Sequence, residues 1–239
     1  MNHSNPFKYF NQVYCLNLQE REDRWQECLF NFEKYNIDNY ERFLATKVVG
    51  GVYEDWPSKR IGQIGCALSF CKMIDDAIKK DYNSVVFLED DFQFTLEPKE
   101  FYEKVGKCIM ELPSNFDMFY LGANVIDHFT HRPLEAYSEN LLKLNSAYAL
   151  HSVVISKAGL HKIKSYFTDE TKPWSQQMIE QYEAIDVFFA QTFQPNNNCY
   201  IVKDQLLALQ RPDFSNIEGQ FFNFCDLLTD RFNYFKSII

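Results

Sequence analysis

The sequence predicts an α/β fold in which a mostly parallel central sheet is flanked by helices. Short apolar runs typical of strands alternate with amphipathic stretches at helical spacing. The most apolar of these runs, at residues 84–88, leads directly into three consecutive acids. The 239 residues are 46% hydrophobic, which is enough for the core of one sizeable domain.

Strand and helix alternate from the start of the chain. The apolar run at residues 12–18 predicts the first strand, and residues 40–46 predict the second. Residues 23–35 between them carry apolar side chains at helical spacing, with Asp23 as the expected N-cap. Residues 49–57 are rich in glycine and turn-forming residues and predict a loop.

Two further helices flank the acidic strand. Residues 64–79 place apolar side chains on one helical face, and Gly62 and Gly65 near the start of this helix permit close approach of another backbone. Residues 97–112 predict the next helix, which Pro98 opens. The order of strand, helix, strand, helix, strand favours an α/β architecture.

The second half continues the alternation less regularly. Residues 124–137 and 210–219 are polar and predict loops, and we leave His128 and His131 of the first loop out of the candidate site. The remaining elements are strands over residues 117–122, 147–155 and 199–209, and helices over residues 157–167, 178–193 and the last twenty residues.

Composition excludes several classes of function. The net charge of -9, without a Lys/Arg block, argues against nucleic acid as a partner. No signal peptide core and no transmembrane segment is seen, so we expect a cytoplasmic or soluble protein, and a luminal location stays open. The seven cysteines lack paired spacing, which indicates reduced thiols. The oligomeric state is not indicated.

Glu89, Asp90 and Asp91 follow a buried strand directly. Ligands of open α/β sheets bind at the carboxyl ends of strands, and carboxylate oxygens suit Mg²⁺ or Mn²⁺. Asp91 is the first candidate for metal ligation and Glu89 the second. Asp90 remains an alternative to either, because neighbours along an extended strand point to opposite sides. A solvated loop or an acidic helix start is the structural alternative.

Three segments follow one another in the first half of the chain: residues 14–18 with Arg21, Asp23, Arg24 and Trp25, then residues 62–69, and then residues 86–91. In sequence, order and spacing they resemble segments of the family 25 glycosyltransferases, which include lipooligosaccharide galactosyltransferases and collagen hydroxylysine galactosyltransferases. Weaker similarity continues at residues 117–122, 147–159 and 185–186, so the resemblance covers most of residues 12–190.

The resemblance implies a GT-A-type, Rossmann-like single domain over residues 1–239. Residues 12–125 would be its nucleotide-sugar-binding half, and residues 126–239 its acceptor-side half with the C-terminal helix. The implied reaction is inverting transfer of a hexose from a UDP-sugar to an acceptor hydroxyl, dependent on Mn²⁺ or Mg²⁺. The implied acceptor is a glycan, a glycolipid or a hydroxylated protein.

The resemblance also assigns site residues by position. Those implied at the nucleotide-sugar are Asn17, Arg21, Arg24, Ser69, Lys72, Glu89, Asp90 and Arg211. Surface pairs with nearby acids are the alternative for Arg21 and Arg24, and a solvated helix position is the alternative for Lys72. Phe70 departs from the histidine that many family members carry after the serine, which puts a polar role there in doubt.

Inverting transfer needs a base for the acceptor hydroxyl proton, and a carboxylate is the usual candidate. Asp186 lies at the border of an apolar helix face, where burial would raise its pKa. The resemblance favours Asp186 as the catalytic or acceptor-binding carboxylate, and an N-terminal helix cap is its alternative.

Two other functions compete with this assignment. One is a catalytically inactive GT-A-fold binding module. Phe70 keeps this function open, whereas the intact Glu89, Asp91 and Asp186 argue against a loss of activity. A nucleotidyltransferase or a phosphatase would also use acids at strand ends, but the sequence has neither a glycine-rich phosphate loop nor the acidic nucleophile motif of such phosphatases.

Overall fold

An eight-stranded sheet forms the centre of the computed structural model, which describes residues 5–48, 58–215, 220–222 and 225–239. The strands are, in chain order, β1 (Gln12–Asn17), β2 (Tyr40–Leu44), β3 (Ser84–Glu89), β4 (Phe92–Phe94), β5 (Met118–Tyr120), β6 (Asn124–Val125), β7 (Leu134–Ala136), β8 (Leu141–Leu144), β9 (Ala147–Tyr148), β10 (Ser152–Ser156), β11 (Cys199–Val202), β12 (Ala208–Gln210), β13 (Asp213–Ser215) and β14 (Gln220–Phe222). The helices are α1 (Glu22–Lys34), α2 (Ser58–Lys79), α3 (Pro98–Glu111), α4 (Lys157–Ser165), α5 (Trp174–Gln181), α6 (Ile185–Phe188) and α7 (Cys225–Ser237).

The central sheet has the order β2-β1-β3-β10-β5-β11-β8-β7. Only β10 and β8 run against the direction of the other strands, and each pairs antiparallel with both of its neighbours. The pairs β1 with β2, β1 with β3, and β5 with β11 are parallel. The α/β class, with strands mostly in one direction and helices flanking the sheet, is therefore confirmed.

The core sits where the central strands are covered on both faces. Val13 and Tyr14 on β1 and Val86 and Phe87 on β3 have no exposed surface. Burial on both faces explains why these strands are continuous apolar runs and not alternating ones. Each such side chain contributes on the order of 1.5–3 kcal/mol through burial. Phe70 of α2 stacks on Phe87 with ring centroids 5.9 Å apart, within the roughly 4.5–7 Å that aromatic pairs prefer.

The predicted helix starts needed correction. Asp23 is not the N-cap of α1, because Arg21 occupies that position and Asp23 lies in the first turn, where an acid favours the helix dipole. Helix α2 begins at Ser58, so Gly62 and Gly65 lie inside it. The loop predicted over residues 49–57 lies outside the described residues.

The predicted strand over residues 147–155 is wrong in one respect, since it divides into β9 and β10. Ala149 between them has a φ of +69°, a left-handed conformation that no continuous strand contains. The predicted helix over residues 178–193 also divides, into α5, α6 and a π-helical turn at Phe189–Phe193. Apolar spacing alone could not reveal either break, because the side chains on both sides remain buried.

The polar segment at residues 124–137 contains the short strands β6 and β7 besides its loop, and β8 was not predicted. Beyond residue 199, the predicted interruption of the strand is confirmed, since β11 and β12 flank Lys203 and Asp204. The last helix, α7, is also confirmed. All seven cysteines carry free thiols, as their spacing indicated.

Candidate functional site

A pocket of about 510 Å³ opens at the carboxyl ends of β1, β2 and β3. The strands point the same way and are neighbours in the sheet, so the residues that follow them meet at one edge. The pocket is lined by Leu16, Asn17, Leu18, Glu20, Arg24, Ala45, Thr46, Lys47, Val48, Ile61, Gly62, Gly65, Cys66, Glu89, Asp90, Asp91 and Gln210.

Asp90 is held by two side chains from the start of the chain. Arg24 Nη1 lies 2.7 Å from Asp90 Oδ1, and Asn17 Nδ2 donates to Asp90 Oδ2 at 2.6 Å. The Asn17 Oδ1 atom accepts from Arg42 Nε at 2.9 Å and Nη2 at 2.6 Å. The carboxylate of Asp90 is thus bound within the protein, and the alternative of a surface pair for Arg24 is wrong.

Glu89 and Asp91 lie on either side of Asp90 and line the same pocket. Burial raises the pKa of Glu89, and the negative charges of Asp91 and Asp186 raise it further. Burial, followed by the charge of Asp90, raises the pKa of Asp91 to about 6. The Oδ1 atom of Asp91 is buried without a hydrogen-bond partner among the described residues. Burial and the neighbouring acids therefore oppose ionisation of both carboxyls in the absence of a bound cation.

Asp186 lies in the first turn of α6. Its negative charge contributes to the raised pKa of both Glu89 and the Cys66 thiol, which indicates that it is close to these groups. Burial raises the pKa of Asp186, and the backbone N–H groups of Ala149 and Val187 act in the opposite direction. Asp186 is not the helix cap that the alternative predicted, because Ala184 holds the N-cap position of α6.

One face of α2 supports the pocket through Thr46. Ser69 Oγ accepts from Thr46 N at 2.8 Å and donates to Gly65 O at 2.6 Å. Lys72 Nζ donates to Thr46 Oγ1 at 2.8 Å. A Cβ on Gly65 would lie 2.6 Å from Thr46 O, which confirms the close backbone approach expected of this glycine. Ser69 and Lys72 therefore do not line the pocket but hold a residue that does.

The two remaining predicted arginines are outside the pocket lining. Arg21 pairs with Asp23, with Nη2 2.8 Å from Oδ2, as the surface-pair alternative proposed. Arg211 forms an ion pair with Glu27, and its backbone N–H donates to Asp91 O at 2.6 Å. The positive charge of Arg211 also acts against the rise in the pKa of Asp91, so this arginine lies near the acids.

Sequence reasoning missed several lining residues, among them Thr46, Lys47, Cys66 and Gln210. Thr46 and Lys47 follow the carboxyl end of β2, and that position is the signal that could have identified them. Gln210 enters through the antiparallel pairing of β12 with β4, in which it lies opposite Phe92. No local pattern indicates that pairing.

The pocket holds two carboxylates that could take part in binding a divalent cation. No group of three or more His, Cys, Asp or Glu residues suited to a metal was found in the described ranges. Mg²⁺ and similar ions usually take one or two carboxylates and complete their shell with substrate phosphates and water. The unpartnered Asp91 oxygen and the adjacent Glu89 fit that mode, whereas Asp90 is already bound by Arg24 and Asn17.

Comparison with known proteins gives two distant relatives, and no family model matches the chain. Human procollagen galactosyltransferase 2 is 21% identical over 170 residues, which cover 64% of this chain and 27% of that protein. The probable inactive glycosyltransferase 25 family member 3 of Bos taurus is 22% identical over 200 residues, covering 73% and 33%. The chain thus spans about a third or less of the curated relatives it matches.

Solved structures give weaker likenesses. A197 from STIV has a TM-score of 0.44 at 15% identity, covering 89% of this chain and 93% of that one. A glycosyltransferase involved in the glycosylation of the major capsid of PBCV-1 has a TM-score of 0.36 at 11% identity, covering 94% and 98%. Scores at this level carry no argument about function. Within the described ranges, no helix has the length and apolar character that crossing a membrane requires.

Proposed function

Since the chain is similar to family 25 glycosyltransferases, we propose that it transfers a hexose from a UDP-sugar to an acceptor hydroxyl with inversion at the anomeric carbon. The observation that carries this proposal is the pair Glu89 and Asp91 in the pocket, with an unpartnered Asp91 oxygen and Asp186 nearby. A pocket of about 510 Å³ has the size of a small-molecule site.

In the proposed reaction, the acceptor oxygen forms a bond to the anomeric carbon of the donor. The bond from that carbon to the diphosphate oxygen breaks, and UDP leaves with the electron pair. Asp186 takes the acceptor proton, which requires its carboxylate to be ionised beforehand. The backbone N–H groups of Ala149 and Val187 favour the ionised form of this carboxylate against the effect of burial.

Asp91 and Glu89 would hold Mn²⁺ or Mg²⁺, which when bound supplies positive charge to the leaving diphosphate. The protein itself offers little free positive charge there. Arg24 lines the pocket but is paired with Asp90, and Lys47 is paired with Glu20. The arrangement therefore suits a donor that brings its phosphates together with a cation.

Calorimetric titration of UDP with and without Mn²⁺ tests the proposal. We expect wild-type protein to bind UDP only with Mn²⁺ and Asp91→Asn to lose that binding. Asp38→Asn, whose side chain is 68% exposed and pairs with Lys8, is the matched control and should bind as wild type does. Absence of Mn²⁺-dependent binding by the wild type, with UDP and with a panel of UDP-sugars, would refute the proposal.

A catalytically inactive binding module is the second candidate, and the name of the Bos taurus relative favours it. Phe70 no longer supports this candidate, because its side chain is fully buried against Phe87 and does not face the pocket. Release of UDP from a bound UDP-sugar separates the two functions. Binding without release over many hours at saturating Mn²⁺ would favour the inactive module.

A further inference from the structure

Two aromatic side chains on the acceptor side of the molecule form a partly exposed corner. Phe129 and Tyr148 lie with ring centroids 6.2 Å apart and planes at 76°. The Phe129 side chain is 38% exposed although it is large and apolar, and Tyr148 is partly exposed. We name this pair of residues the aromatic corner. Exposed apolar groups held together in this way are typical of binding sites.

The aromatic corner adjoins the candidate base. Tyr148 ends β9, and the backbone N–H of the next residue, Ala149, acts to lower the pKa of Asp186. The left-handed conformation of Ala149 turns the chain at this point, and α6 with Asp186 packs against β9. Strained backbone of this kind is concentrated at functional sites. The negative charges of Asp186 and Glu183 contribute, after burial, to a raised pKa of Tyr148.

The aromatic corner is suited to bind a ring that has one apolar face. Two rings at a steep angle offer a flat apolar face and an adjoining wall, and both are rigid because an aromatic side chain has few rotatable bonds. The Tyr148 hydroxyl makes no hydrogen bond to any residue that the structure describes, so it is available to a ligand. A pyranose matches both features, since its C–H groups form an apolar face and its hydroxyls lie around the rim.

We propose that Phe129 and Tyr148 bind the acceptor as a pyranose ring and present one of its hydroxyls to Asp186. The acceptor class is then a glycan, because a flexible hydroxylated peptide side chain has no flat face to pack on the corner. This inference rests on the proposed function for the role of Asp186, but the binding of the sugar itself does not depend on turnover.

Saturation-transfer NMR with methyl β-D-galactopyranoside and methyl β-D-glucopyranoside as probes tests the inference, in the presence of UDP and Mn²⁺. We expect transfer to ring protons of at least one probe, and a roughly tenfold weaker affinity in Phe129→Ala. Tyr148→Phe keeps the ring and should lose less affinity than Tyr148→Ala. Phe30→Ala, at a side chain 68% exposed on α1, is the matched control and should behave as wild type.

The outcomes distinguish this inference from the proposed function. Pyranoside binding that is absent in the wild type, or unchanged in both Phe129→Ala and Tyr148→Ala, overturns the aromatic corner even where Mn²⁺-dependent UDP binding is intact. Pyranoside binding that depends on the corner supports it even where UDP fails to bind. Saturation transfer to a hydroxylysine peptide with none to the pyranosides would assign the corner to a peptide acceptor and refute the inference.

Discussion

The ion pair of Arg24 and Asp90 gives the most direct test of the acidic triplet. Arg24→Met removes the guanidinium and keeps most of the apolar stem. Each side chain of the pair is only 10% exposed, and the two atoms that meet are 2.7 Å apart. The substitution leaves the Asp90 carboxylate nearly buried, with the Asn17 amide still donating a hydrogen bond to it. Breaking a buried pair in this way costs about 3–5 kcal/mol.

A loss of that size should lower the melting temperature by about 6–20 °C for a chain of this length. Urea titrations of Arg24→Met, Asp90→Asn and the double variant give the coupling between the two side chains. Arg21→Met is the matched control, because the partner Asp23 is 63% exposed and such pairs contribute about 0–1 kcal/mol. If Arg24→Met costs no more than Arg21→Met, or if the single losses simply add, Asp90 is not held as described and becomes a candidate ligand again.

Three further substitutions have expected outcomes. Asp91→Asn should raise the free energy of unfolding by about 1–3 kcal/mol at pH 7 without metal, as urea titration will show, because a pKa near 6 means that ionisation at pH 7 opposes folding. Gly65→Ala should weaken UDP binding, measured by calorimetry, because the added Cβ would lie 2.6 Å from Thr46 O. Gly106→Ala is the control, since a Cβ there meets nothing within 4 Å. Acidification from pH 7 to pH 5 should lower the unfolding free energy of the wild type by about 2 kcal/mol, because burial lowers the His151 pKa to about 4 and the unfolded chain binds that proton more readily. His151→Gln should abolish this decrease, as urea titrations at both pH values will show.

Each of these three predictions has a result that would contradict it. A less stable Asp91→Asn protein without metal would mean that the carboxylate is satisfied in the fold. Equal UDP binding by the Gly65→Ala and Gly106→Ala proteins would separate α2 from the pocket. A pH dependence that persists in His151→Gln would place the titrating group elsewhere. The gain from Asp91→Asn should also disappear below about pH 4, where the wild-type carboxyl is protonated in both states.

The elements that could be predicted are those whose local pattern and tertiary environment agree. Strands β1 and β3 are continuous apolar runs because both faces of each strand are covered, and the acids follow β3 as the sequence indicated. Helix α3 begins at the expected proline. The breaks at Ala149 and after α5 were missed, because apolar spacing reports which side chains are buried and not how the backbone turns between them.

The candidate site likewise has a part that the sequence indicates and a part that depends on tertiary contacts. The sequence by itself determined that Glu89, Asp90 and Asp91 stand at the end of a buried strand, since the transition from apolar to acidic residues is local. Only the tertiary structure decided that Asp90 belongs to Arg24 and Asn17, that Ser69 and Lys72 act through Thr46, and that Phe129 and Tyr148 meet beside Asp186. Those contacts join residues that are far apart in the chain. The spacing of residues within one segment does not indicate which distant segment the fold will bring against it.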